Sequence, residues 1–247
     1  MKPFLSVVIS AYNEAKRIPL TLIEIDKHLS RAEYSSEIVV VNDGSKDETA
    51  DVVRRLQAIV KNLKLVDNRE NHGKGWGIRS GMREAKGNWR LFVDADNSTS
   101  VDQVEKMIPF FKEYDIIIGS RAVRGAKLSP PQPWYRQILG RFGNLLIQLL
   151  AVPGIWDTQC GFKCFSEEAA EKIFSSMKID RWGFDVEALA LARAAGYRIK
   201  EIPVTWVNDT RSTVGAGAYF STLLEVVKIR WWLARSAYDI SRIKKES

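Results

Sequence analysis

Asp94 and Asp96 stand at i and i+2 directly behind the apolar run Leu91-Phe92-Val93. Two carboxylates so spaced on a strand end can face one hard cation, which takes oxygen ligands. Such a cation is a Lewis acid able to neutralise a departing diphosphate. Asp is also a common turn residue, so the pair gains its meaning from what surrounds it. Ala11-Tyr12-Asn13-Glu14, Asn42-Asp43-Gly44-Ser45 and Asn71-His72-Gly73-Lys74-Gly75 each follow a short apolar run. The glycines allow close backbone approach, and Lys74 supplies a cation for phosphate. No G-x-x-x-x-G-K-[ST] loop is present, and Ile78 stands where the third glycine of G-x-G-x-x-G would fall, which disfavours a P-loop and a dinucleotide fingerprint.

Hydrophobic periodicity predicts the elements that must hold these groups. Strands are expected over 4–10, 37–41, 63–66, 89–93 and 115–119, and helices over 14–29, 47–60, 75–85 and around 101–111. Ser45 is the expected N-cap of the second helix. The alternation implies an α/β fold, a mostly parallel sheet with helices on both faces. Ligands in such sheets bind beyond the carboxyl ends of the strands, where all four polar clusters would converge. Further on, 125–133 reads as loop, 136–152 as a helix, 154–161 as irregular and 162–165 as a short strand. Helices are expected over 166–174 and 184–195, a strand over 198–204, a flexible loop over 208–217, and one long helix over 218–243.

The chain has 247 residues, 45% hydrophobic and 27% charged, an ordinary globular composition able to bury a core. A net charge of +7 favours anionic partners without choosing among them. Cys160 and Cys164 lack a second Cys/His pair nearby and read as reduced, buried side chains rather than a zinc site, in keeping with a cytosolic compartment. The run Phe4–Ile9 is too short for a signal peptide and reads as a buried strand. No run of about 18–20 apolar residues occurs, so no membrane-spanning helix is expected. Two segments could instead lie on anionic lipid: Leu139–Leu150 near Arg141, and Ala218–Lys245 with Trp231, Trp232, Lys228, Arg230 and Arg235. Core packing is the competing reading for both.

Taken in order, SVVISAYNE, VVNDGSKDET, NHGKGWGIRSG, DAD, GSR and DTQCGFK resemble the inverting GT-A glycosyltransferases of family two, from about Leu5 to Trp206. DTQCGFK and RWGFDVE most resemble the branch that glucosylates dolichyl phosphate. The resemblance implies a Rossmann-like GT-A catalytic domain over 1–217, with 218–247 a C-terminal amphipathic helix and possible membrane-surface anchor. It implies a nucleotide-sugar donor, UDP-glucose above GDP-mannose, a polyprenyl or dolichyl phosphate acceptor, and Mg2+ or Mn2+ as cofactor.

Roles carry over to matching positions. Ala11, Tyr12, Asn13, Glu14, Asp43, Lys74 and Asp94 would line the nucleotide pocket, and Asp96, with Asp94, would hold the metal. Arg121, Arg136, Gln159 and Lys163 would face donor and acceptor phosphates. Asp157, Asp185 and Glu187 would stand with Asp94 and Asp96 around the reaction centre. Asn42 takes a place where the family often has a first aspartate, and Asn97-Ser98 replaces a usual glycine.

A lipid monophosphate is already anionic at neutral pH, with a second pKa near ~6. It needs no general base, so Arg121 and Arg136 are expected to hold it, with Asp185 and Glu187 orienting or structural. The implied enzyme works at the cytoplasmic face as a peripheral protein. An alcohol or glycan acceptor on the same metal site is the alternative. A nucleotidyltransferase would carry a glycine-rich basic loop where SAYNEAKR stands, and a nucleic-acid binder would not explain aspartates grouped at strand ends. His28 reads as a surface residue and His72 as a loop-structuring or nucleotide contact. Trp182 and Trp206 are candidates to line a sugar or acceptor groove. No sequence feature sets an oligomeric state.

Overall fold

The computed structural model describes residues 2–130, 134–207 and 216–245, with the backbone alone at 134–139, 141–142 and 216–220. Apolar runs, β-branched in β1, β2 and β5, build β1 (Leu5–Ala11), β2 (Ser36–Asp43), β3 (Leu63–Asn68), β4 (Trp89–Val93) and β5 (Ile116–Ser120). Between them lie α1 (Ile18–Leu29), α2 (Thr49–Leu56) and α3 (Lys74–Glu84). The later elements are β6 (Lys127–Ser129), α4 (Trp134–Leu150), β7 (Phe162–Ser166), α5 (Glu167–Ser176), α6 (Phe184–Ala194), β8 (Ile199–Pro203), β9 (Thr205–Val207), α7 (Ala216–Ala234) and α8 (Ile240–Ile243).

Seven strands form one sheet in the order β3-β2-β1-β4-β7-β5-β8. Pairing is parallel except on both sides of β7, which runs antiparallel to β4 and β5. Successive side chains of a strand point to opposite faces. Val7 and Ile9 therefore pack with Ile18 and Leu22 of α1, while Val8 and Phe92 join Ile78 of α3 and Phe184 of α6. Strand order reverses between β1 and β4, so the crevice at their carboxyl ends is the topological switch point where such sheets bind ligands. Because β7 runs backwards, with Phe162 opposite Val93, the residues just before it arrive at that same edge.

The expected mostly parallel α/β sheet is present, with several boundaries moved. Glu14 precedes α1, its carbonyl capping a turn through Arg17 and Ile18. Ser45 is not the cap of α2: its hydroxyl accepts from Asn13 N, and Asp47 Oδ1 accepts from Thr49 N at the start of the helix. The helix expected around 101–111 is two short 3-10 segments. Within the loop-like 125–133, β6 pairs in parallel with β9. The loop read over 208–217 lies, as far as residue 215, outside the described residues. The single helix expected over 218–243 is broken after Ala234, where Ser236 takes a positive φ of 53° and the chain turns back to bury Tyr238 and Ile243. No described helix is long and apolar enough to cross a membrane. Both cysteines are buried and free, and burial pushes the Cys160 thiol up to about 12.

Candidate active site

Three loops at the carboxyl edge are laced together by their own side chains. Asn13, in the left-handed region at φ 57°, donates its N–H to Ser45 Oγ at 2.9 Å and accepts Lys46 N at 2.8 Å. Glu14 N donates to Thr49 Oγ1, and the Glu14 carboxylate is held by the Arg17 guanidinium. Asp43, 1% exposed, accepts from Asn71 Nδ2, His72 N and Gly73 N at 3.0, 3.0 and 2.7 Å. Asp43 thus fixes the loop that delivers Lys74. Ala11 is buried at the end of β1, and Tyr12 stands 41% exposed at the rim.

The glycines of this region serve packing. A Cβ on Gly81 would lie 2.4 Å from Val8 Cγ1, and one on Gly77 would lie 2.2 Å from Ser10 Oγ. α3 can approach the sheet only because those side chains are missing. Gly73, at φ 115°, and Gly75 meet the backbone of the 179–181 segment in the same way.

Asp94 lies at the centre. Its Oδ1 accepts Lys74 Nζ at 2.6 Å, and its carboxylate rests on the bare Cα of Gly161, where an added Cβ would come within 2.0 Å of Oδ2. Asp96 accepts Ser98 N at 3.0 Å, and no ion pair holds it among the described residues. Thr21 of α1 donates to Ala95 O at 2.7 Å and fixes the turn between the two acids. Across the site, Asp157 grips Arg121: Oδ2 accepts its backbone N and Nε at 2.8 Å each, and Oδ1 accepts Nη2 at 2.9 Å. Beneath, Lys163 is 0% exposed, its ammonium donating at 2.5 Å to both Asp185 Oδ1 and Cys160 O. Trp182 lies against Lys74 at 5.5 Å and Trp206 against Arg121 at 5.4 Å.

The charges are balanced by contact. Burial alone would lower the Lys74 amine, but Asp94 and Asp185 outweigh it and raise it. Burial would raise the Asp157 carboxyl, but the Arg121 charge and its hydrogen bonds hold it below the ordinary range. Asp185 goes the other way: burial raises it, and Lys163 and Lys74 only partly offset that.

The structure therefore brings Lys74, Asp94, Asp96, Arg121, Asp157, Lys163 and Asp185 together at one edge. Lys163 is the buried counter-ion of Asp185 rather than part of an open phosphate surface. Glu187 is fully buried and accepts Tyr238 Oη, Lys178 N and Ile179 N at 2.6, 2.8 and 2.9 Å, which ties the C-terminal segment to α6. Gln159 is exposed, and the side chain of Arg136 lies outside the described residues. Gly161, the seat of Asp94, has no counterpart among the expected site residues. Gly161→Ala should lower kcat/KM about 10²-fold, since misplacement of a reacting constellation by about 1 Å has that effect. Steady-state kinetics checks this, and activity within threefold of the parent would refute the seat.

A divalent cation fits Asp96 by donor chemistry, its carboxylate being the one of the two that Lys74 does not hold. No group of three or more His, Cys, Asp or Glu forms a cage among the described residues. A cation at Asp96 would take its other ligands from a diphosphate and water, as Mg2+ does when held by one or two carboxylates.

The sheet, its switch-point crevice and the acid-after-strand site define a nucleotide-sugar-transferase fold, and the chain belongs to glycosyl transferase family 2, whose profile matches residues 6–174. It is an enzyme of glycosyl transfer. Among its relatives, it is 35% identical over 238 residues to a dolichyl-phosphate beta-glucosyltransferase of Trichomonas vaginalis, covering 92% of this chain and 72% of that protein. The human dolichyl-phosphate beta-glucosyltransferase is 37% identical over 221 residues, covering 83% of this chain and 67% of that protein. In structure the chain is similar to mannosyl-3-phosphoglycerate synthase from Rubrobacter xylanophilus, with TM-score 0.70, 17% identity, and 95% and 75% of the two chains covered. It is also similar to a mannosyltransferase from Pyrobaculum calidifontis in complex with GDP-Man and Mn2+, with TM-score 0.59, 20% identity, and 96% and 76% covered.

Proposed function

We propose that this enzyme transfers glucose from UDP-glucose, with inversion, to dolichyl or another polyprenyl phosphate. The observation that carries the reading is the charged edge itself: Asp94 and Asp96 lie by Lys74, and Asp94 by an Arg121 clamped by Asp157. It is supported by relatives bearing the name dolichyl-phosphate beta-glucosyltransferase over most of the chain.

An anionic acceptor needs no proton removed; it needs its repulsion from the donor diphosphate overcome. Arg121 suits that task, because Asp157 occupies Nε and Nη2 and leaves the rest of the guanidinium fork for a phosphate. Lys74, steered by Asp94, adds a second cation on the nucleotide side. Bound at Asp96, Mg2+ or Mn2+ would supply Lewis acidity to the departing diphosphate. Asp185, 6% exposed and paired with Lys163, orients this floor and takes no proton from the acceptor.

The lipid is reached from a membrane surface at the cytoplasmic side. α7 exposes Leu224, Val227 and Trp231 at 55, 52 and 52%. Exposed Lys228, Arg230 and Arg235 stand among them, a pairing suited to anionic lipid. Leu145 and Leu149 of α4, which packs on α7, extend the apolar surface.

Incubation with UDP-glucose, Mg2+ and polyprenyl phosphate should yield UDP and an acidic glucolipid, with GDP-mannose giving little product. The triple variant Leu224→Ser/Val227→Ser/Trp231→Ser should lose flotation with anionic liposomes while still turning over detergent-dispersed lipid. Preferred use of GDP-mannose would overturn the donor, and unchanged flotation would overturn the surface.

A further inference from the structure

We infer that Glu201, which belongs to none of the charged groups above, is a positioning residue that sets the aim of Arg121. The inference rests on the reading of Arg121 as the acceptor-phosphate ligand.

Arg121 immediately follows β5, and Glu201 lies on β8, the strand paired with it in parallel register, opposite Ile118. The irregular segment that carries Asp157 bonds to both, through its side chain to Arg121 and through its backbone to Glu201. The Glu201 carboxylate receives two consecutive backbone N–H groups of that segment, Trp156 N on Oε2 at 2.8 Å and Asp157 N on Oε1 at 3.0 Å. An ionised carboxylate accepting from backbone N–H makes stronger bonds than a neutral acceptor does. From the other side, Asn144 of α4 donates to the carbonyls of Ile155 and Trp156. The peptide between these clamps is held at both its N–H and its C=O, and the next side chain out is Asp157.

Asp157 in turn fixes Arg121 at three points, backbone N, Nε and Nη2. A bidentate pair fixes a guanidinium in plane as well as in place. The plane presented to an incoming phosphate is thus decided by Asp157, and the position of Asp157 by Glu201. Nothing in this relay requires Glu201 to touch substrate. Loss of such supporting contacts in other sites costs about 10–100-fold.

The test is a double-mutant cycle on the full chain with polyprenyl phosphate as varied substrate. Glu201→Gln keeps the shape but offers an NH2 to one of the two N–H donors. It should lower kcat/KM for the lipid phosphate about 10–30-fold, with KM for UDP-glucose within about twofold of the parent. Arg121→Lys should lower the same constant, and adding Glu201→Gln to it should cost less than about threefold more, since no bidentate plane remains to be misaimed. The drop in melting temperature caused by Glu201→Gln should be equal in both backgrounds, which a merely structural role would share; the vanishing kinetic effect it would not. If Glu201→Gln fails to fold, Asn144→Ala releases the opposite side of the same peptide and must show the same pattern. A fully active Glu201→Gln, or losses that multiply in the double variant, overturn the relay. An Arg121→Lys enzyme with undiminished acceptor kinetics overturns the role of Arg121 itself.

Discussion

Asp96→Asn should lower kcat about a thousandfold, the scale on which removing one charge-stabilising group acts in a transition state. The substitution keeps the shape of the side chain and its acceptance of Ser98 N–H through the remaining oxygen. What it removes is the carboxylate that no ion pair neutralises among the described residues. Asp94 cannot stand in, because Lys74 already holds it. Asp94→Asn should therefore behave differently, loosening Lys74 and raising KM for the nucleotide sugar along with its loss of rate. Mn2+ titration followed by proton relaxation gives a second readout, in which Asp96→Asn binds metal more weakly in the presence of UDP. A variant within threefold of parental kcat would remove Asp96 from the metal site.

Lys163→Met should have the largest effect on stability. The ammonium is fully enclosed, bonded to Asp185 and Cys160 O, and lies 5.2 Å from the Phe92 ring. Methionine fills much of that space but leaves the Asp185 carboxylate buried without its partner. Breaking a buried pair from one side costs about 3–5 kcal/mol, a fall in Tm of about 10 °C for a chain of this size. Lys163→Met/Asp185→Leu should recover most of the loss, because replacing both partners by apolar groups is often neutral. The recovered protein also tests the mechanism, since an acceptor that is already anionic should still be glucosylated by it. Thermal melts of the parent and the single and double variants decide the matter. A double variant no more stable than Lys163→Met would mean that the pair is not the source of the loss.

Much of the candidate site was legible in order of appearance. Each polar cluster follows a short apolar run, so sheet geometry alone carries Asn13, Asp43, Lys74 and Asp94 to one edge. The roles within the edge were less legible. Asp43 and Glu14 read as open ligands, yet their carboxylates are engaged with the 71–73 loop and with Arg17. Gly73 and Gly75 read as allowing close backbone approach, and what approaches them is the backbone of the 179–181 segment. Lys163 read as a phosphate contact, because nothing in DTQCGFK shows that a lysine four residues after Gln159 points into the core. The relay through Glu201 spans 44 residues between its donor Asp157 and its acceptor, and no local spacing rule covers that distance.

The sequence by itself determined the strand–helix alternation, the edge at which chemistry gathers and the acidic pair suited to a metal, because periodicity and turn residues act over a few positions. Only the tertiary structure decided which charges face a substrate and which are spent on one another. That choice follows from β7 entering antiparallel between β4 and β5, which seats Asp94 on Gly161, draws Asp157 to Arg121 and buries Lys163 against Asp185. A buried charge must find its partner wherever the fold brings one, and that partner need not be near in the chain.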